Sequence, residues 1–200
     1  LWVPDGRVYI SCSNLTVATN GSINADYRGY TTNNGPGAGS GTAGASHAGA
    51  GQRTSSGMPM PAYNDPATPD QPGSGGPIGF TLSGAGGGAI RIAASGQIDV
   101  KGTITANGRS TAGNGGGGSG GSIWLTCDTL AGSTNGLISI NGGNGSSLSG
   151  SGSAGRIALL YNTNAQAALP QPCPLIRFSG TPGASVGAVD RFPAAMGTLD

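Results

Sequence analysis

Ile90-Arg91-Ile92, Ile123-Trp124-Leu125 and Ile157-Ala158-Leu159 open three copies of one pattern, set 33 and 34 residues apart. The first leads to Gly102-Thr103-Ile104-Thr105-Ala106-Asn107-Gly108. The second leads to Gly136-Leu137-Ile138-Ser139-Ile140-Asn141-Gly142, and the third to Leu175-Ile176-Arg177-Phe178-Ser179-Gly180. A fourth copy lies near the N-terminus, where Val8-Tyr9-Ile10 and Leu15-Thr16-Val17 precede Gly21-Ser22-Ile23-Asn24-Ala25-Asp26-Tyr27. A fixed period in this range marks a repeat array, in which each copy buries its apolar face against its neighbours.

Superimposed, the copies give columns. Val8, Ile90, Ile123 and Ile157 share one, Ile10, Ile92, Leu125 and Leu159 the next, and Ile23, Ile104, Ile138 and Ile176 a third. Between the first two lies an alternating position held by Tyr9, Arg91, Trp124 and Ala158. Alternation with period 2 predicts strands with one buried face, and like residues in columns predict parallel, in-register stacking. The expected fold class is all-β: a parallel β-helix (β-solenoid) with long glycine-rich loops or coils packed on it. It forms one domain over 1–200, with rungs near 8–30, 90–108, 123–142 and 157–180 and a glycine-rich insertion at 33–88. Pro170, Pro172 and Pro174 are expected to break or bulge the last rung. Met196-Gly197-Thr198-Leu199 reads as the start of a further rung and Leu1-Trp2-Val3 as a strand, with no polar cap at either end.

Composition agrees with strands. Glycine (41) and proline (13) make up more than a quarter of the 200 residues, yet only 8% are charged and 36% are hydrophobic. Disorder usually brings more charge and fewer β-branched residues, so ordered repeats joined by glycine-rich segments are the better account. Every acidic residue is Asp, and Lys101 is the only lysine. With the best charged helix formers nearly missing, helix is almost excluded. A net charge of +1 gives no case for nucleic acid or an anionic membrane, and no apolar run reaches the length of a membrane span.

The stretches Ile104–Gly108, Gly120-Gly121-Ser122-Ile123-Trp124-Leu125 and Gly155-Arg156-Ile157-Ala158-Leu159, with the glycine runs between them, resemble the glycine-rich parallel β-helix regions of large bacterial surface and secreted, adhesin-like proteins. Ala25-Asp26-Tyr27-Arg28-Gly29-Tyr30, Ser46-His47-Ala48-Gly49 and Pro72-Gly73-Ser74-Gly75-Gly76 fit the same pattern. The resemblance covers most of the chain. It implies a right-handed coil, export, and a structural or adhesive role, and it carries over no catalytic residue.

The chemistry-bearing residues support no active site. His47 is the only histidine and reads as a structural or incidental loop residue. Asp26, Asp99 and Asp128 recur on successive copies, where paired carboxylates could serve polysaccharide cleavage; solvated surface positions are the preferred account. The glycine runs lack the aspartates of a calcium-binding repeat. Thr103 and Thr105 give way to Leu137 and Ser139, so no threonine ladder continues. No cofactor or metal is expected. Tyr9, Arg91 and Trp124 form an outward column suited to cation–π contact, or to stacking on sugar rings; packing beneath a glycine coil is preferred. Asn14, Asn20 and Asn144 head glycosylation sequons. Cys12, Cys127 and Cys173 are either three buried thiols or an unequal disulfide set.

The expected function is that of an extracellular or cell-surface structural protein, not an enzyme. It would be a subunit or segment of a bacterial surface fibre, matrix or adhesin stalk, with itself as head-to-tail partner. The alternative is a carbohydrate-binding or polysaccharide-cleaving protein that contacts surface glycans.

Overall fold

The computed structural model describes residues 6–78, 83–185 and 198–199. In each copy three short strands follow one another. They are β1 (Arg7–Cys12), β2 (Leu15–Val17) and β3 (Ser22–Asn24); β4 (Ala89–Ala94), β5 (Gln97–Val100) and β6 (Thr103–Thr105); and β7 (Ser122–Cys127), β8 (Thr129–Gly132) and β9 (Leu137–Ser139). The fourth copy holds β10 (Arg156–Tyr161), the helix α1 (Thr163–Ala167) and β11 (Arg177–Ser179), and β12 (Thr198–Leu199) follows. All pairing between these strands is parallel. It forms three separate sheets, ordered β1-β4-β7-β10-β12, β2-β5-β8 and β3-β6-β9-β11.

This corrects the expectation of a single right-handed parallel β-helix (β-solenoid) with glycine coils laid over it. What is observed is a strand-dominated set of three separate parallel sheets with almost no helix. Columns of like residues report parallel, in-register pairing; any set of parallel sheets satisfies them, and they do not specify how the sheets are joined. The register itself matches the sequence columns, with Val8 opposite Ile90, Ile90 opposite Ile123 and Ile104 opposite Ile138. Ile92, Ile98, Val100, Ile104, Ile123 and Ile138 are fully buried in one apolar cluster.

The last copy departs from its column. Phe178, not Ile176, pairs with Ile138, a slip of two residues. Because the slip is even it preserves facing, and Ile176 stays buried, its side chain packed where a Cβ on Gly132 would fall. The cause is α1, which takes the place of a middle strand. Asn162 caps it, accepting from the N–H groups of Asn164 and Ala165, so a short helix forms despite the composition. From α1, Gln166 reaches the edge strand β8. Its Oε1 accepts from Leu130 N–H at 2.8 Å and its Nε2 donates to Leu130 C=O at 2.9 Å, so one side-chain amide imitates a neighbouring strand. Residues 170–174 contain no strand, as the prolines predict. Leu199 pairs with Ile157, while Leu1–Val3 lie outside the described residues.

The glycine runs are ordered, and they pack on one another. Along 116–121 the backbone N–H groups donate in turn to Pro77, Gly150, Arg109, Ser74, Ser153 and Ala106, so the same three directions return every third residue. The carbonyls of Gly116 and Ser119 accept from Gly84 and Gly87, that of Gly117 from Ala45, and that of Gly118 from Gly143. A threefold turn with no internal hydrogen bonds is the geometry of extended polyproline-type helices. The segment is thus a central strut, hydrogen-bonded to six neighbouring stretches. Close approach demands glycine here: a Cβ on Gly118 would fall against the Ala85 carbonyl, and one on Gly152 against the Gly118 carbonyl.

A side-chain ladder joins this bundle to the sheets. Asp26 Oδ1 accepts the Asn107 N–H at 2.6 Å, Asn107 Oδ1 the Asn141 N–H at 2.7 Å, and Asn141 Oδ1 the Thr181 N–H at 2.9 Å. The Asn-Gly of the repeated motif therefore clamps each copy to the next.

Candidate functional site

The outward column assembles as its spacing predicts. Tyr9 is in register with Arg91, and Arg91 with Trp124. The Arg91 guanidinium carbon lies 5.0 Å from the Tyr9 ring centroid and 4.1 Å from that of Trp124, placing the cation between two aromatic faces. The ladder is not covered by a glycine coil: Arg91 is exposed, and Tyr9 is 61% exposed. Beside it runs a groove of about 300 Å³ lined by Arg7, Tyr9, Pro69, Asp70, Ala89 and Arg91. Arg7 Nε fixes one wall, donating to the Asp70 carbonyl at 2.9 Å. Ala158, the next residue of the column, is buried, so the ladder stops at Trp124.

His47 is structural, and it is wholly buried. Its Nδ1 lies 2.8 Å from the Gly120 carbonyl, so the neutral ring donates there, and Nε2 accepts from Asn64 Nδ2 at 3.4 Å. The ring packs on Tyr63 with centroids 4.7 Å apart. Burial pushes the His47 pKa down to about 4; hydrogen bonding to the Gly120 carbonyl opposes this, and the nearby Arg156 charge adds to it. Arg156, itself buried, donates from Nε and Nη2 to the Tyr63 carbonyl at 3.2 and 3.1 Å. Tyr63 donates to the Pro72 carbonyl at 2.6 Å and accepts from Ser74, and burial raises its pKa. His47 Nε2 faces an amide, not a hydroxyl, so no Ser–His pair is formed. The cluster is a joint that fastens 45–64 to the glycine segments and to β10. Sequence reasoning missed Tyr63, Asn64 and Arg156. The one signal available was a charge inside the apolar Gly155-Arg156-Ile157 opening of a nearly uncharged chain.

The aspartates do not converge. Asp99 pairs with Lys101 at 2.8 Å and sits in register with Thr16 and Ala131, while Asp128 accepts from Asn162 Nδ2 at 3.1 Å. Asp26 belongs to the ladder described above. The threonine column breaks as expected, with Thr103 opposite Leu137 and Thr105 opposite Ser139. Among the described residues no group of three or more His, Cys, Asp or Glu could hold a metal ion, and no helix is long and apolar enough to cross a membrane.

The sequon residues Asn14, Asn20 and Asn144 are all exposed, and Asn20 lies in a turn at φ 66°. The three cysteines are free thiols, but they are not alike: Cys127 is buried, Cys12 half-buried and Cys173 exposed, which corrects the picture of three buried thiols. Burial pushes the Cys127 pKa up to about 11, so that thiol is a poor nucleophile. Comparison with family models, characterised proteins and solved structures finds no match to this chain.

Proposed function

We propose that the chain is an extracellular structural protein, a subunit or segment of a bacterial surface fibre, matrix or adhesin stalk, and that it stacks head to tail on copies of itself. The observation that carries this reading is the edge formed by β1, β2 and β3. Each is the terminal strand of its sheet, and no described strand pairs with its outer side. The apolar columns run out onto this edge: Val8 is 43% exposed, whereas Ile90, Ile123 and Ile157 in the same column are at most 2% exposed. A parallel edge with half-covered apolar columns is completed by another parallel strand set, and such a contact repeats without closing. The role is mechanical: the backbone is bonded in several directions, and few charges are presented. Negative-stain electron microscopy across a concentration series tests it. Filaments with a uniform axial repeat support stacking; monodisperse short particles at every concentration overturn it.

A second reading is favoured by the open Tyr9–Arg91–Trp124 ladder and its groove. Aromatic faces flanking a cation on an uncovered sheet suit a glycan chain, which would make the protein a carbohydrate-binding surface component. Loss of glycan retention on Trp124→Ala, with an unchanged melting temperature, is the result that supports it.

A further inference from the structure

Arg91 is held in place by contacts that use none of its hydrogen-bond donors. Its guanidinium carbon lies over the Tyr9 and Trp124 rings, 5.0 and 4.1 Å from their centroids. Among the described residues no oxygen accepts from its five N–H groups, and the residue is exposed. An ordinary surface arginine is mobile, and ordering such a side chain for a ligand costs about 0.5–1.5 kcal/mol. Here the two rings restrict it before any ligand arrives, while its donors stay open to one.

The groove that Arg91 lines has a positive balance. Arg7, Tyr9 and Asp70 share its lining of about 300 Å³, and the buried Pro69 and Ala89 add apolar surface. Register puts both arginines on the outward face, with Arg7 opposite Ala89 and Tyr9 opposite Arg91, two residues further along each strand. Arg7 commits Nε to the Asp70 carbonyl, which fixes it on the groove wall. The Asp70 carboxylate forms an ion pair with neither arginine. Two cations and one anion therefore meet at a single groove in a chain with 8% charged residues. Arg7 adds to the potential of the groove; recognition falls on Arg91.

We propose that the ladder and its groove select a carboxylate-bearing glycan, a uronate, with Arg91 taking the carboxylate and the sugar ring lying in the groove against Tyr9. This rests on the reading of the ladder as a glycan surface and names the class of glycan. A carboxylate matches the guanidinium fork in shape and charge, whereas a sugar hydroxyl engages one donor at a time. Tyr9, 61% exposed, supplies the apolar surface that a sugar ring uses and a free inorganic anion does not. The groove has room for a single sugar ring, so one carboxylate is read per site.

Isothermal titration calorimetry with trigalacturonate and with its methyl ester tests it, since esterification removes the charge and leaves the sugar rings unchanged. The free acid is expected to bind about tenfold or more tighter than the ester, the fold-change that matches one charge-assisted hydrogen bond, and its affinity should fall as salt rises. Arg91→Gln should bring the acid down to the affinity of the ester. Arg91→Lys, which keeps the charge and loses the fork, should fall between the two. The acid-to-ester ratio is the readout, because a folding defect lowers both affinities together. Equal binding of acid and ester overturns the proposal and leaves the glycan surface standing, whereas binding of neither overturns both. An unchanged ratio in Arg91→Gln, or full competition by inorganic phosphate at matched concentration, overturns the proposal as well.

Discussion

The sheets and the glycine bundle of this chain are packed on opposite principles. In the sheets, strands meet through side chains: Ile92, Ile98, Ile104 and Ile138 fill a continuous apolar interior. In the bundle, segments such as 116–121 meet through bare backbone, and the hydrogen bonds leave in three directions. The first is stabilised by removing apolar area from water. The second hides little apolar surface; it depends on satisfying buried N–H and C=O groups at distances that only glycine allows. The same chain therefore holds one region that fails when side chains are removed and another that fails when they are added.

The largest effect should come from the sheets. Ile138→Ala empties a fully buried position between β6 and β11 and should lower the unfolding free energy by about 4 kcal/mol, read by urea denaturation. A change below about 1 kcal/mol would remove the apolar columns as the source of stability. The next test addresses the joint between the two regions. His47 titrates near 6.5 when unfolded and at about 4 when folded. The unfolded chain thus binds the extra proton between those values, and folding is weakened as pH falls. The contribution is complete above pH 6.5 and lost on descending toward 4, about 3 kcal/mol in all. His47→Gln should flatten that part of the stability–pH curve, and a curve left unchanged would free the joint from His47.

What the sequence made legible follows the same division. Parallel register was readable because Ile104 and Ile138, or Arg91 and Trp124, face the same way at a constant spacing, and a strand reports facing through period 2. The fourth copy was misread at Ile176 because α1 and the prolines consumed a strand, and a two-residue slip leaves facing intact. The glycine bundle was visible as composition but not as packing. Its contacts are made by atoms common to every residue, so a threefold repeat of bond directions leaves no side-chain signature. Asn107 and Asn141 each precede a glycine, in two of the four copies, but the ladder they form was not read from that, because their partners are visible only in space. His47 and Arg156 were opaque for another reason. Their burial depends on 45–64 returning to β10, a contact across more than ninety residues of chain for Arg156 and Tyr63.

The smallest effect is the sharpest test of the backbone-packed region. Gly118 lies outside the left-handed φ range, so alanine can adopt its conformation and the backbone itself offers no objection. Replacing glycine by alanine at such a site restricts the unfolded chain and on its own stabilises by about 0.4–1 kcal/mol. Against this, the new Cβ would press on the Ala85 carbonyl, which neither rotates nor flexes away as a side chain would. Overpacking of this kind costs about 1–3 kcal/mol. The steric term is the larger, so Gly118→Ala should destabilise by about 1–2 kcal/mol. The adjacent Ser119 shows that the segment accepts a side chain elsewhere: it is fully buried, and its Oγ accepts the Ser74 N–H at 2.8 Å and donates to the Ser74 carbonyl at 3.3 Å. Ser119→Ala should therefore cost those two hydrogen bonds and nothing steric, about 1–2 kcal/mol. If Gly118→Ala instead raises stability, the segments are spaced more loosely than a backbone-to-backbone contact requires, and the bundle is held by its few side chains after all.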